Sequence, residues 1–180
     1  MRKVTTVLLG QSGVGKSTFL VTASKGHAPL APVYSTIGVE NVTFQYNGVR
    51  IQCWDASGND KFKQITPMFV RNCDAVLYMF KPEQPGSLDH AIQWYNRACE
   101  QQACPDVHIF IANTNMPLSS IDKSNIPSDV VLAGSATHRE DVQHILNTIL
   151  DSTHFSPNRE FTYSSHSPTQ IQMRQCCGIQ

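Results

Sequence analysis

Residues 10–17 read Gly-Gln-Ser-Gly-Val-Gly-Lys-Ser, a G-x-x-x-x-G-K-S pattern placed behind the apolar, β-branched run Val4 to Leu9 and ahead of a helical stretch from about Lys16 to Lys25. A buried strand, a glycine-rich turn and a helix must therefore follow one another without interruption, and Gly26 is placed to end the helix. The glycines let the backbone bend so that successive N–H groups face one point, and the helix N-terminus adds its partial positive charge there. The occupant such a loop suits is an anion, above all a phosphate. Lys16 would reach the outer phosphates of a polyphosphate, and the Ser17 hydroxyl would bind Mg2+. Gly10, Ser12, Gly13, Val14, Gly15, Lys16, Ser17 and Thr18 are the candidate phosphate-binding residues.

The rest of the chain supplies a sheet to carry that loop. Val42, Phe44 and Tyr46 alternate, as do Val49, Ile51 and Cys53, and Asn47-Gly48 between them suits a type I′ turn, so a β-hairpin is predicted. Ala75 to Phe80 and Val107 to Ala112 read as buried strands and Val130 to Ala133 as a short last one. Leu88, Ala91, Ile92, Tyr95 and Cys99 recur at helical spacing behind Ser87, which is placed to act as N-cap. Thr137 and Glu140 have capping-box spacing ahead of Val142, Ile145, Leu146, Ile149 and Leu150, which form one apolar helix face. Strands alternating with helices imply an α/β fold: a mostly parallel six-stranded sheet, helices on both faces, and one antiparallel strand from the hairpin. From Asp151 onward the apolar rhythm stops, so residues 1–150 read as one domain and 151–180 as a flexible tail.

Composition narrows the function classes. Apolar residues make up 41% and charged residues 16% of the chain, as in a folded globular protein, and the formal net charge of zero gives no electrostatic footprint for nucleic acid. Met1-Arg2-Lys3 and the short apolar run behind it lead into the glycine-rich segment instead of a cleavage site, and no run approaches the roughly 18 apolar residues of a spanning helix. Six cysteines form a disulfide framework only in a secretory context, which is missing here. Cys53 and Cys99 read as small core hydrophobes, Cys73 and Cys104 as structural thiols, and the spacing of cysteines and histidines does not suit zinc.

Three further segments carry a family resemblance. Thr36-Ile37-Gly38-Val39-Glu40 resembles the T-I-G-V-E that closes switch I of Rab proteins, and Trp54-Asp55-Ala56-Ser57-Gly58-Asn59-Asp60 resembles the W-D-T-A-G-Q-E that opens their switch II. Residues 61–80 resemble the stretch that follows, with Phe62-Lys63-Gln64-Ile65-Thr66 and Arg71-Asn72-Cys73-Asp74-Ala75-Val76-Leu77 in the family's order. With the phosphate loop, the similarity to Rab-type small GTPases of the Ras superfamily covers about residues 2–150. It implies a Ras-like fold and a monomeric GTP/GDP switch with Mg2+. The Thr36 hydroxyl would bind Mg2+ while its N–H meets the γ-phosphate, Asp55 would hold Mg2+ through water, and the Gly58 N–H would sense the γ-phosphate. Effectors and regulators would meet residues 27–40 and 55–72, and the setting would be vesicle traffic on the cytosolic face of an endomembrane.

The chain also departs from the pattern. The guanine-reading N-K-x-D aligns with Asn113-Thr114-Asn115-Met116. Its aspartate would accept two charge-assisted hydrogen bonds worth about 1.5–3 kcal/mol each, and Met116 accepts neither, which lowers guanine discrimination by roughly two orders of magnitude or more. Thr114 lacks the lysine stem that packs over the base, and Pro29 stands nearest to the family's stacking aromatic residue. Ser135-Ala136-Thr137 resembles S-A-K, whose alanine N–H donates to guanine O6, so Asn113 and Ala136 are the base contacts the chain retains. Asn59 occupies the place of the water-orienting glutamine. It is one methylene shorter, and a displacement of roughly 1 Å costs about a hundredfold in rate. Residues 27–36 contain no arginine to act in cis. Asn59 and Lys16 are the catalytic candidates, and hydrolysis is expected to be slow. Only 21 residues separate Asn113 from Ser135, fewer than the family usually has, and Pro117 and Pro127 lie among them. The helix that precedes the last strand in the family is expected to shrink to a turn or disappear.

The chain ends Cys176-Cys177-Gly178-Ile179-Gln180. Its last four residues fit C-a-a-X, which suggests a farnesyl group on Cys177, while the adjacent pair resembles the geranylgeranylated di-cysteine ends of Rabs. One lipid anchors only marginally, which assigns a second to Cys176, and residues 151–180 could extend about 100 Å from the domain. Three readings remain at this point. They are a membrane-anchored GTP/GDP switch, a pseudo-GTPase interaction module that mimics a Rab surface with weak or non-guanine nucleotide binding, and an NTPase with relaxed base preference.

Overall fold

A computed structural model of the chain describes residues 1–34, 36–58, 66–100, 105, 107–128 and 130–153. The order of elements is β1 (Lys3–Leu9), α1 (Lys16–Lys25), β2 (Val39–Tyr46), β3 (Val49–Ala56), α2 (Thr66–Val70), β4 (Ala75–Phe80), α3 (Ser87–Glu100), β5 (Val107–Asn113), β6 (Val131–Gly134) and α4 (Arg139–Ser152). The six strands form one sheet in the order β2-β3-β1-β4-β5-β6. Among the described residues only the β2–β3 pair is antiparallel, and the other four pairings are parallel. Tyr46 pairs with Val49 across a two-residue loop whose Asn47 and Gly48 have φ 47 and 75, the left-handed pair a type I′ turn requires.

Side-chain alternation along the central strands builds a core on each face. Leu77, Met79, Ile109 and Ile111 point to one face, where Phe19 and Leu20 of α1 and Val142, Ile145, Leu146 and Ile149 of α4 cover them. Val76, Tyr78, Phe80, Phe110 and Ala112 point to the other, against Ala91, Trp94 and Ala98 of α3 and Val70 of α2. Between β5 and β6 the described residues hold only a short 3-10 turn, Leu118–Ser120, entered from an extended Pro117. The helix expected to shrink there has done so.

Three local expectations are corrected. Helix α4 starts at Arg139, and its N-cap His138 makes no side-chain cap, so Thr137 and Glu140 form no capping box. The Thr137 hydroxyl is instead paired with Ser135 Oγ at 2.8 Å. Ser87 is the first residue of α3, and its hydroxyl accepts from the Lys81 N–H and donates to the Lys81 carbonyl, closing the 81–86 loop. Cys99 is exposed, because the buried stripe of α3 runs through Ala91, Trp94 and Ala98, one step round the helix from the stripe expected. Cys53 and Cys73 are buried as expected, and Cys104 lies outside the described residues. Ile145, fully buried between α4 and the sheet, gives a direct check on this packing. Ile145→Ala should cost about 2–5 kcal/mol of stability in urea unfolding.

Candidate functional site

The loop between β1 and α1 lies at the carboxyl end of the central strand, with the ends of β3, β4 and β5 around it, the position where open α/β sheets bind ligands. Gly15 is the N-cap of α1 in the left-handed region (φ 99), and no side chain caps the helix, so its first N–H groups face the loop. A methyl group at Gly15 would lie 2.3 Å from Asn113 Nδ2. Val14 is fully buried, while Ser12, Gly13, Lys16, Ser17, Thr18 and Gly58 line a cavity of about 150 Å³. A Cβ at Gly58 would lie 2.2 Å from Ser12 N, so only glycine fits where this segment meets the loop.

Lys16 is buried, and its ammonium donates to the carbonyls of Gly10 (2.9 Å) and Gln11 (3.0 Å). Burial pulls its pKa down to about 8, against the upward pull of Asp55. Beside it three oxygen-bearing side chains converge. Ser17 Oγ lies 2.9 Å from Thr36 Oγ1, and both hydroxyls donate to Asp55 Oδ2, that of Thr36 at 3.2 Å. Burial raises the Asp55 pKa, opposed first by the Ser17 hydrogen bond and then by Lys16 and Thr36. Asp55 Oδ1 is buried and has no hydrogen-bond partner. An orphaned carboxylate oxygen beside two hydroxyls is the hard oxygen donor set that Mg2+ prefers, so the residues present fit that ion. The backbone Ser57 N–H donates to Gly38 O at 2.8 Å and ties the two flanking segments together.

The residues expected to read a base are also brought together. Asn113 donates from Nδ2 to Val14 O (2.8 Å) and accepts at Oδ1 from the Ala136 N–H (2.8 Å). The Ala136 N–H expected to face a base carbonyl is thus given to Asn113. Thr114 is buried, and its hydroxyl donates to Glu83 Oε1 (2.7 Å) and accepts from the Met116 N–H (3.2 Å). Met116 is 40% exposed, and Pro29 is half-buried. Two residues that the sequence reading missed hold these loops: Glu83 through Thr114, and Gln84, whose Nε2 donates to Gln11 Oε1 (3.0 Å) and Ser12 O (3.1 Å). Their one sequence signal is position, in the turn that follows β4 at the carboxyl edge of the sheet. Asn59, Cys176 and Cys177 lie outside the described residues.

Fold and site together define an α/β protein with a glycine-rich loop and an uncapped helix start at the carboxyl edge of a mostly parallel sheet. The model of the Ras family matches residues 5–153, and the chain belongs to that family. It is 28% identical over 118 residues to the Ras-related protein Rab-5A of Dictyostelium discoideum (63% of this chain, 58% of that protein). Over 118 residues it is 30% identical to Rab-37 of Mus musculus (63% and 52%), and over 112 residues 29% identical to the GTP-binding protein ypt3 of Schizosaccharomyces pombe (60% and 52%). The matches thus span little more than half the length of these relatives.

The close approach at Gly15 yields a test. In Gly15→Ala the methyl must displace Asn113 or leave the left-handed region, a strain of about 1–3 kcal/mol. The variant should lose thermal stability and pyrophosphate binding together, as read by calorimetry.

Proposed function

We propose that this chain is a Rab-type small GTPase, a switch that binds GTP and GDP with Mg2+ at the phosphate loop, acts in vesicle traffic and hydrolyses GTP slowly. The observation that carries this reading is the convergence of Ser17, Thr36 and Asp55 beside the buried Lys16, with Asp55 Oδ1 left without a partner. Family membership and relatives named Ras-related or GTP-binding support it. Ser17 and Thr36 would hold Mg2+ directly and Asp55 through water, and the ion would neutralise charge on the outer phosphates. The loop N–H groups and the uncapped start of α1 would bind those phosphates, and Lys16 would exchange the Gly10 and Gln11 carbonyls for phosphate oxygens.

The switch would lie in two segments that already touch the loop. Thr36 meets Ser17, Gly58 sits on Ser12, and the Ser57–Gly38 bond couples them, so a third phosphate that moves one would move the other. Effectors and regulators would bind residues 27–40 and 55–72, where Leu30, Tyr34, Ile37 and Met68 are exposed. Among the described residues no helix is long and apolar enough to cross a membrane. Attachment to a cytosolic membrane face would use lipids at Cys176 and Cys177.

Asn59 sets the expected rate. Single-turnover release of γ-phosphate should be slow, and Asn59→Gln should raise it about a hundredfold, as expected when a water-orienting amide regains roughly 1 Å of reach. A wild-type rate no slower than that of Asn59→Gln would contradict slow hydrolysis. A chain that retains no GTP at all would leave the interaction-module reading.

A further inference from the structure

We infer that the pocket beside the phosphate loop discriminates weakly among bases, so that GDP, IDP and ADP compete for this chain on nearly equal terms. The inference rests on the nucleotide-binding reading above and narrows its ligand class. A nucleoside anchored by its phosphates at residues 10–17 would lay its base against the loops that follow β5 and β6. Those loops pack directly on Gly15, through Asn113 Nδ2 and Ala136 Cβ.

Bases are told apart by the donors and acceptors on their edges. Guanine presents an acceptor at O6 and donors at N1 and N2, hypoxanthine lacks the N2 donor, and adenine carries a donor at position 6 and an acceptor at N1. A site that distinguishes them needs polar groups aimed outward and unspent. Here most of those groups are already engaged within the protein. Asn113 uses both ends of its amide, on Val14 O and the Ala136 N–H, each at 2.8 Å. The Met116 N–H goes to Thr114 Oγ1 and the Thr114 hydroxyl to Glu83. After β6 the Ser135 N–H goes to Asp141 Oδ2 (2.8 Å), the Thr137 N–H to Ser135 Oγ (3.4 Å), and the two hydroxyls pair at 2.8 Å.

Opening one of these bonds to serve a base exchanges one hydrogen bond for another, with little net gain. The loops are also held in place. Glu83 fixes Thr114, and the adjacent Gln84 fixes Gln11 and Ser12, so the base loop and the phosphate loop are clasped by two consecutive residues. What remains open toward solvent on that loop is the Met116 side chain and the exposed Asn115, whose amide can turn either a donor or an acceptor outward and so selects no single base edge. A thioether is flexible and polarizable, so it packs against the flat face of any base without reading its edge.

The test is displacement of a fluorescent GDP analogue from the full-length chain by GDP, IDP and ADP in the presence of Mg2+, for wild type and Met116→Asp. The three diphosphates should compete within about fivefold of one another. Met116→Asp should strengthen GDP at least about tenfold and leave ADP unchanged, because the new carboxylate accepts from guanine N1–H and N2–H. GDP binding a hundredfold or more tighter than ADP in the wild type would overturn the inference and leave the nucleotide-binding reading standing. Binding of none of the three would overturn both. An unaltered GDP-to-ADP ratio in folded Met116→Asp would mean that the base does not lie against residue 116, and that also overturns the inference. Should Met116→Asp fail to fold, the wild-type comparison decides alone.

Discussion

A buried ammonium and a buried carboxyl group stand close together at the centre of this protein. Lys16 and Asp55 each lose hydration, and neither could remain charged at that depth without compensation. Lys16 takes two backbone carbonyls of the loop it belongs to, which helps fix the shape of that loop. Asp55 takes the hydroxyls of Ser17 and Thr36, which come from different elements. The sheet makes the meeting possible: β1 pairs in parallel with β3, and the Leu8↔Asp55 register brings Asp55 to the start of the phosphate loop. Helix α1, the segment before β2 and the end of β3 are thereby tied to one electrostatic centre, and the two cores beneath it keep the strands in register.

That centre explains an asymmetry in the site. The phosphate side ends in an unpartnered oxygen and a helix without a side-chain cap, so its polar groups still have something to bind. On the base side the polar groups of Asn113, Thr114, Ser135, Ala136 and Thr137 bond to the protein itself. A nucleotide held here would be gripped by charge and geometry at one end and by packing at the other. Both halves share scaffolding, since Glu83 and Gln84 follow one another in the chain and reach one loop each.

Most of the fold was legible in the sequence because its signals are local. The β-branched runs, the Asn47-Gly48 turn and the apolar face of α4 rest on periodicity and turn chemistry, and all three appear as expected. The placement of the glycine-rich loop was legible for the same reason, with its glycines and Lys16 set between strand and helix. Cys99 was misread because helical spacing alone does not fix which stripe turns inward, and Ala98 takes the buried place beside Trp94; Ser87 was misread because its hydroxyl closes on the Lys81 backbone. The Thr137–Glu140 spacing failed because Ser135 engages the threonine hydroxyl. Gln84 and Glu83 were out of reach: their partners at Ser12 and Thr114 lie 72 and 31 residues away, and no local pattern encodes such a contact.

The release rate of GDP with and without Mg2+ tests most directly the proposal that Ser17, Thr36 and Asp55 would hold a divalent cation that secures a bound nucleotide. Stripping Mg2+ with chelator should speed release from the wild type at least about tenfold, equivalent to roughly 1.4 kcal/mol of cation-dependent binding. Asp55→Asn should release GDP at that faster rate whether or not Mg2+ is present. Identical wild-type rates with and without Mg2+ would contradict the account.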